Sequence, residues 1–111
     1  MAQPPSPSDI AANIVAAGKE WSECEAAASW LEESRKSVRA QIAIENFSEA
    51  GSAAKAELIA ESSQKYLDHL KSMVEARRKA NIARVNYEGG KLWTDMLRTE
   101  QATARAEMQM R

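Results

Sequence analysis

Apolar side chains recur along the first part of the chain at alternating steps of four and three: Ile10, Ile14, Ala17, Trp21, Cys24, Ala28 and Leu31, then Val38 and Ile42, with Arg35 in the one place skipped. A repeat averaging about 3.5 residues keeps one face of an α-helix against a neighbour, as in a coiled coil. The run opens at Ser6-Pro7-Ser8-Asp9. There Ser6 can cap, Pro7 occupies a first-turn position whose missing N–H costs nothing, and Asp9 can reach back as in a capping box. A first helix is therefore predicted over 7–47. Gly18 inside it costs about 1 kcal/mol relative to alanine without disturbing the pattern.

Asn46 to Ser52 is the one break before the C-terminal half. Gly51 can take the left-handed conformation that ends a helix, and Ser52 or Ser48 can cap the next, which puts a turn at 48–52. A second helix is predicted over 53–110. Its apolar stripe runs through Leu58, Ile59, Tyr66, Leu67, Leu70, Met73 and Val74, thins across Glu75 to Lys79, and resumes at Ile82, Val85, Leu92, Trp93, Met96 and Leu97. Gly89-Gly90 is the weak joint, at a cost of about 2 kcal/mol for the pair, and a kink is expected there if anywhere. A connection this short makes the two helices antiparallel. The expected fold is all-α: an antiparallel helical hairpin with a long second helix, coiled-coil-like, forming a single helical domain over 7–111 behind a disordered tail at 1–6.

Composition agrees with that class. Only 5% of the 111 residues are aromatic although 44% are hydrophobic, and four glycines and three prolines are too few for the turns of a β-fold. One cysteine and one histidine cannot build a disulfide or a Cys/His zinc site within one chain. No cofactor is expected. No apolar run is long enough to cross a bilayer, and the opening residues lack the parts of a signal peptide, so no membrane role and a cytoplasmic location are expected.

The net charge of −1 conceals a division. Residues 1–62 carry five basic and ten acidic side chains, and residues 63–111 carry ten basic and six acidic. Within the second part Arg77, Arg84, Lys91, Arg98 and Arg105 recur every seven residues, one row along one helix face. In a hairpin of this length, opposed residues have numbers summing to about 99. The acidic part then meets the basic part: Arg77, Arg78 and Lys79 fall opposite Glu20, Glu23 and Glu25, Lys65 opposite Glu32 and Glu33, and Lys91 opposite Asp9. The row is also a weak candidate for nucleic acid, because evenly spaced bases can follow phosphates. Glu88, Asp95, Glu100 and Glu107 interleaved with it argue against direct nucleic-acid binding.

On that register Thr94 to Arg111 runs past the first helix and carries apolar groups with nothing to cover them. Trp93, Met96, Leu97, Arg98 and Arg105 are therefore the expected partner-binding residues, and a homo-oligomer is the expected way to cover the seams. Trp21 and Trp30 are weaker candidates for the oligomer interface. His69, Cys24 and the Glu57–Glu61 pair form no catalytic arrangement, and the Glu-x-x-His spacing of di-iron bundles is absent because Tyr66 stands three residues before His69. The chain is not expected to be an enzyme.

The residues Ala56-Glu57, Tyr66, Met73, Ala76-Arg77, Ala80-Asn81, Val85 and Tyr87-Glu88, with the ending Arg98-Thr99-Glu100-x-Ala102-Thr103-x-Arg105-Ala106-Glu107-Met108, resemble small α-helical proteins encoded by bacteriophages and prophages beside genes for recombination or single-strand DNA handling. The resemblance covers roughly 53–108. It implies a phage protein in the cytoplasm of a bacterial host, non-enzymatic, self-associating and bound to a protein partner in DNA metabolism. An inhibitor of a host nuclease or defence complex of the anti-CRISPR kind and a structural assembly factor are the alternatives it implies.

Overall fold

The computed structural model describes residues 6–110. They form four helices and no strand: α1 (Pro7–Glu45), α2 (Phe47–Ala50), α3 (Ala53–Ser62) and α4 (Gln64–Met110). Of the expected tail over 1–6, Met1–Pro5 lie outside the described residues, as does Arg111, while Ser6 is described and caps α1.

Each boundary has a local cause. Ser6 and Asp9 form the expected capping box: Asp9 N–H donates to Ser6 Oγ at 3.2 Å, and Ser6 N–H donates to Asp9 Oδ2 at 3.3 Å. At the other end of α1, Asn46 folds its side chain back and donates to the Ile42 carbonyl at 2.8 Å, so the helix stops two residues before the predicted end. Gly51 takes φ 80°, and Ser52 caps α3 by accepting from Lys55 N–H at 3.2 Å.

The predicted second helix differs at one place. Ser63 adopts extended backbone (φ −73°, ψ 149°) and separates α3 from α4. Its hydroxyl donates to the Ala60 carbonyl at 2.7 Å and accepts from Tyr66 N–H at 3.2 Å, which ends one helix and caps the next. Gly89-Gly90 by contrast lies inside α4 without a break.

The chain divides into two compact units. The turn unit is Glu23–Ala80; the terminal unit comprises the described parts of Met1–Ser22 and Asn81–Arg111. In the turn unit the α1 and α4 segments run antiparallel, with Lys65 beside Glu45 and Arg77 beside Glu25. α3 joins them: Ile42 of α1, Ala60 of α3 and Tyr66 of α4 share one buried cluster, to which Val38, Ala43 and Leu70 add partial cover. In the terminal unit the segments are again antiparallel, with Tyr87 against Gly18 and Trp21, and the residues around Leu97 beside those around Ile10. Of its described residues only Ala83 is buried.

The α1 seam lies where the heptads put it, and Arg35 is exposed at its skipped position. The α4 seam holds the predicted Tyr66, Leu70, Met73 and Leu97 but departs from the stripe between them. Its covered positions are Tyr66, Leu70, Met73, Ala76, Ala80, Ala83, Tyr87, Gly90, Thr94 and Leu97, whereas Leu67, Val74, Ile82, Val85, Leu92, Trp93 and Met96 from the predicted stripe are exposed. Small residues at 76, 80, 83 and 90 keep the 3.5-residue period between Met73 and Leu97, so there the helix packs on them and on Tyr87 and turns Ile82, Val85, Leu92 and Met96 away.

Candidate interaction surfaces

Arg77 is the best-held member of the basic row. It donates from Nε and Nη2 to Glu32 at 2.9 and 2.7 Å, and from Nη1 to Glu25 at 2.7 Å. The planar guanidinium thus spans two carboxylates one heptad apart. Hydrogen bonding from Arg77 holds the Glu32 carboxyl below its ordinary pKa, and Glu32 and then Glu25 raise that of Arg77. Arg78 turns to Glu75 on its own helix, 2.9 Å away, and lowers that carboxyl's pKa by the same bonding.

Arg78 thus leaves the α1 acids predicted for it, and two further pairings are replaced. Lys65 meets Glu45 at 3.9 Å rather than Glu32 and Glu33, and Lys91 lies 5.3 Å above the Tyr87 ring rather than opposite Asp9. Both follow from the connection, which spends α2, α3 and Ser63 between the long helices where a simple turn was expected. The register is displaced by several residues toward higher numbers on α4. The remaining members of the row, Arg84, Arg98 and Arg105, are exposed and form no ion pair among the described residues.

The same displacement shortens the expected overhang. Pro7 and Ile10 share a groove of about 370 Å³ with Thr94, Leu97, Arg98 and Gln101, so α1 accompanies α4 to about Gln101. The stretch beyond, Ala102–Met110, is exposed throughout and spans roughly 13 Å at the helical rise. A second groove of about 620 Å³ lies in the same unit. Ile10, Ile14, Tyr87, Trp93 and Leu97 line it together with Asn13, Asn86 and Gln101, and no charged side chain is among its lining residues.

Trp93 and Leu97 therefore belong to the uncharged groove, Arg98 to the smaller one, Met96 to neither, and Arg105 to the stretch beyond. Trp21 stacks at a tilt on Tyr87 within the chain, ring centroids 5.5 Å apart, and Trp30 stands 70% exposed. Gly18 has a packing role that no local pattern signals. A Cβ there would lie 3.2 Å from the Tyr87 ring, so this glycine lets α4 approach α1 closely. Cβ atoms at Gly89 and Gly90 would meet nothing within 4 Å, and nothing within the chain accounts for either glycine.

The groups weighed for chemistry have structural positions. His69 donates from Nε2 to the Leu31 carbonyl at 2.9 Å, tying α4 to α1 in the turn unit, and Cys24 is half-buried on the α1 seam. No helix is long and apolar enough to cross a membrane, among the described residues. No protein family, curated protein or solved structure matches the chain.

Proposed function

We propose that this is a non-enzymatic helical interaction protein that self-associates through the terminal unit. The uncharged groove carries the reading: Trp93 remains 61% exposed at its edge, beside Ile10, Ile14 and Leu97. Two helices cannot cover both flanks of their own seam, and a second pair laid against them completes a bundle. A groove without charges lets two copies meet with no like-charge repulsion, and a tryptophan at its edge suits the anchor role such residues take in interfaces. Gly90 within it opens room for a neighbouring backbone. The non-enzymatic part is supported by His69, whose ring is engaged by a main-chain carbonyl. That the complex works on a protein of DNA metabolism, in a phage-infected cell, is proposed on the resemblance of the C-terminal half alone.

Light scattering on the full chain tests the self-association. The expected mass is at least twice 12.2 kDa, falling to the single-chain value for Ile14→Glu, which places a charge in the groove, and for the milder Trp93→Ala. A single-chain mass for the wild type at high concentration refutes it.

A further inference from the structure

We infer that the outward side of α4 from Ile82 onward is a second coiled-coil seam, and that its occupant is a basic amphipathic helix of another protein. This goes beyond self-association: none of its seam positions lines either groove of the terminal unit, and only the flanking Asn86 and Trp93 border the larger one. Ile82, Val85, Leu92 and Met96 follow steps of three, seven and four, which is heptad spacing with one position, Gly89, between Val85 and Leu92. All are exposed, Leu92 at 62% and Met96 at 51%. The same steps continue through Thr99, Thr103 and Ala106 to Met110, over roughly 42 Å of helix.

Each position suits contact with a helix. Thr99 and Thr103 donate their hydroxyls to the carbonyls of Asp95 and Thr99, both at 3.0 Å, so their polar atoms are satisfied within α4 and their methyl groups remain for packing. Gly89 costs helix stability and spares no clash within this chain, since a Cβ there would meet nothing within 4 Å. A glycine on a seam admits the backbone of a neighbour.

Charge identifies that neighbour. The positions flanking the stripe hold Glu88 and Asp95 on one side and Glu100 and Glu107 on the other. All four are exposed, and none forms an ion pair among the described residues. The other flanking positions are uncharged, and Arg84, Lys91, Arg98 and Arg105 lie further round the helix. A second copy laid on the same stripe offers these acids no base in either orientation, and in parallel it sets Asp95 against Glu100. A helix with apolar residues at heptad steps and Lys or Arg beside them satisfies both the stripe and its flanks.

The test uses the full chain and two labelled synthetic helices of about four heptads, each with leucine and isoleucine on its seam. One carries lysine at the flanking positions and the other glutamate. By fluorescence anisotropy the lysine peptide binds, more weakly as salt is added, and the glutamate peptide binds about tenfold or more weakly than that. Val85→Ser/Leu92→Ser/Met96→Ser abolishes lysine-peptide binding while leaving the light-scattering mass and helical circular dichroism unchanged. Glu88→Lys/Asp95→Lys/Glu100→Lys/Glu107→Lys reverses the preference between the peptides. Equal binding of both peptides, or none of the lysine peptide, overturns the proposal. So does loss of self-association in the triple serine variant, which makes a second copy the occupant. Failure of the groove variants to alter self-association counts against the preceding reading and leaves this one standing.

Discussion

The turn unit and the terminal unit are built from the same two long helices with the same heptad spacing on α1, yet one closes and the other stays open. In the turn unit Ile42 and Tyr66 are covered because α3 lays Ala60 against them. In the terminal unit no third helix is present among the described residues, and Ile10, Ile14, Trp93 and Leu97 line an open groove instead. Even the polar contacts follow this division: Arg77 is held by Glu32 and Glu25, whereas Arg84, Arg98 and Arg105 have no carboxylate partner among the described residues. A seam of small residues suffices to set the register of two helices. Burying large side chains takes a third element, and where the chain does not supply one, another molecule can.

The largest expected effect comes from removing what α3 covers. Ile42 is 3% exposed, and Ile42→Ala should destabilise the fold by about 2–5 kcal/mol in urea unfolding. Ile14 occupies the matching seam in the terminal unit but is only half-buried, so Ile14→Ala at low protein concentration should cost less than about half as much. If the cost of Ile14→Ala grows with protein concentration, the open groove is being filled by a second copy. Equal costs for the two variants at high dilution would erase the distinction between the units.

Glycines sharpen the comparison at a smaller scale. Gly89→Ala adds a Cβ in open space within a helix and should stabilise the chain by about 1 kcal/mol in thermal unfolding. Gly18→Ala places its Cβ 3.2 Å from a Tyr87 ring already held between Trp21 and Lys91, and should gain less or lose stability. Gly89→Ala should also weaken binding of the lysine-flanked peptide although it stabilises the protein. Such opposite changes separate a glycine kept for a partner from one kept for the fold.

Much of this was legible in the sequence, and the misses have physical causes. The capping box at Ser6, the left-handed Gly51, the Ser52 cap and the α1 seam are local or strictly periodic, and each lies where its residues predict. The break at Ser63 was missed because a serine inside an apolar pattern reads as tolerated. Its signal was the adjacent Ser62-Ser63, one hydroxyl bonding back to Leu58 and the other capping α4. That unseen break displaced the register, and with it the Lys65 and Lys91 pairings and the length of the overhang. On α4 the apolar stripe coincides with the seam at Tyr66, Leu70, Met73 and Leu97, but Ala76, Ala80, Ala83 and Gly90 occupy it between them, because period rather than bulk decides which face meets the neighbour. The candidate residues Trp93 and Leu97 were found for their apolar character, whereas an uncharged groove around them depends on α1 side chains no local pattern could place.

The smallest expected effect probes the Arg77 clasp, the shortest of the ion pairs joining the helices of the turn unit. Arg77 holds the folded-state pKa of Glu32 below its unfolded value, so the unfolded chain takes up a proton there before the folded one does. The stability this contributes is fully present above the ordinary carboxylate pKa and is lost as pH falls through the depressed one. Melting temperature followed from neutrality into the acid range should therefore decline more steeply for the wild type than for Glu32→Gln, which lacks that contribution, and the two curves should converge at the acid end. Both partners are partly open to solvent, so the difference should be modest and should shrink with added salt. Arg98→Gln in the terminal unit removes a base that no carboxylate meets among the described residues, and it should leave the shape of the acid limb as it is. If Arg98→Gln flattens that limb as much as Glu32→Gln does, the bases of the two units are equally engaged in solution, and the open face of α4 is already holding an acidic neighbour.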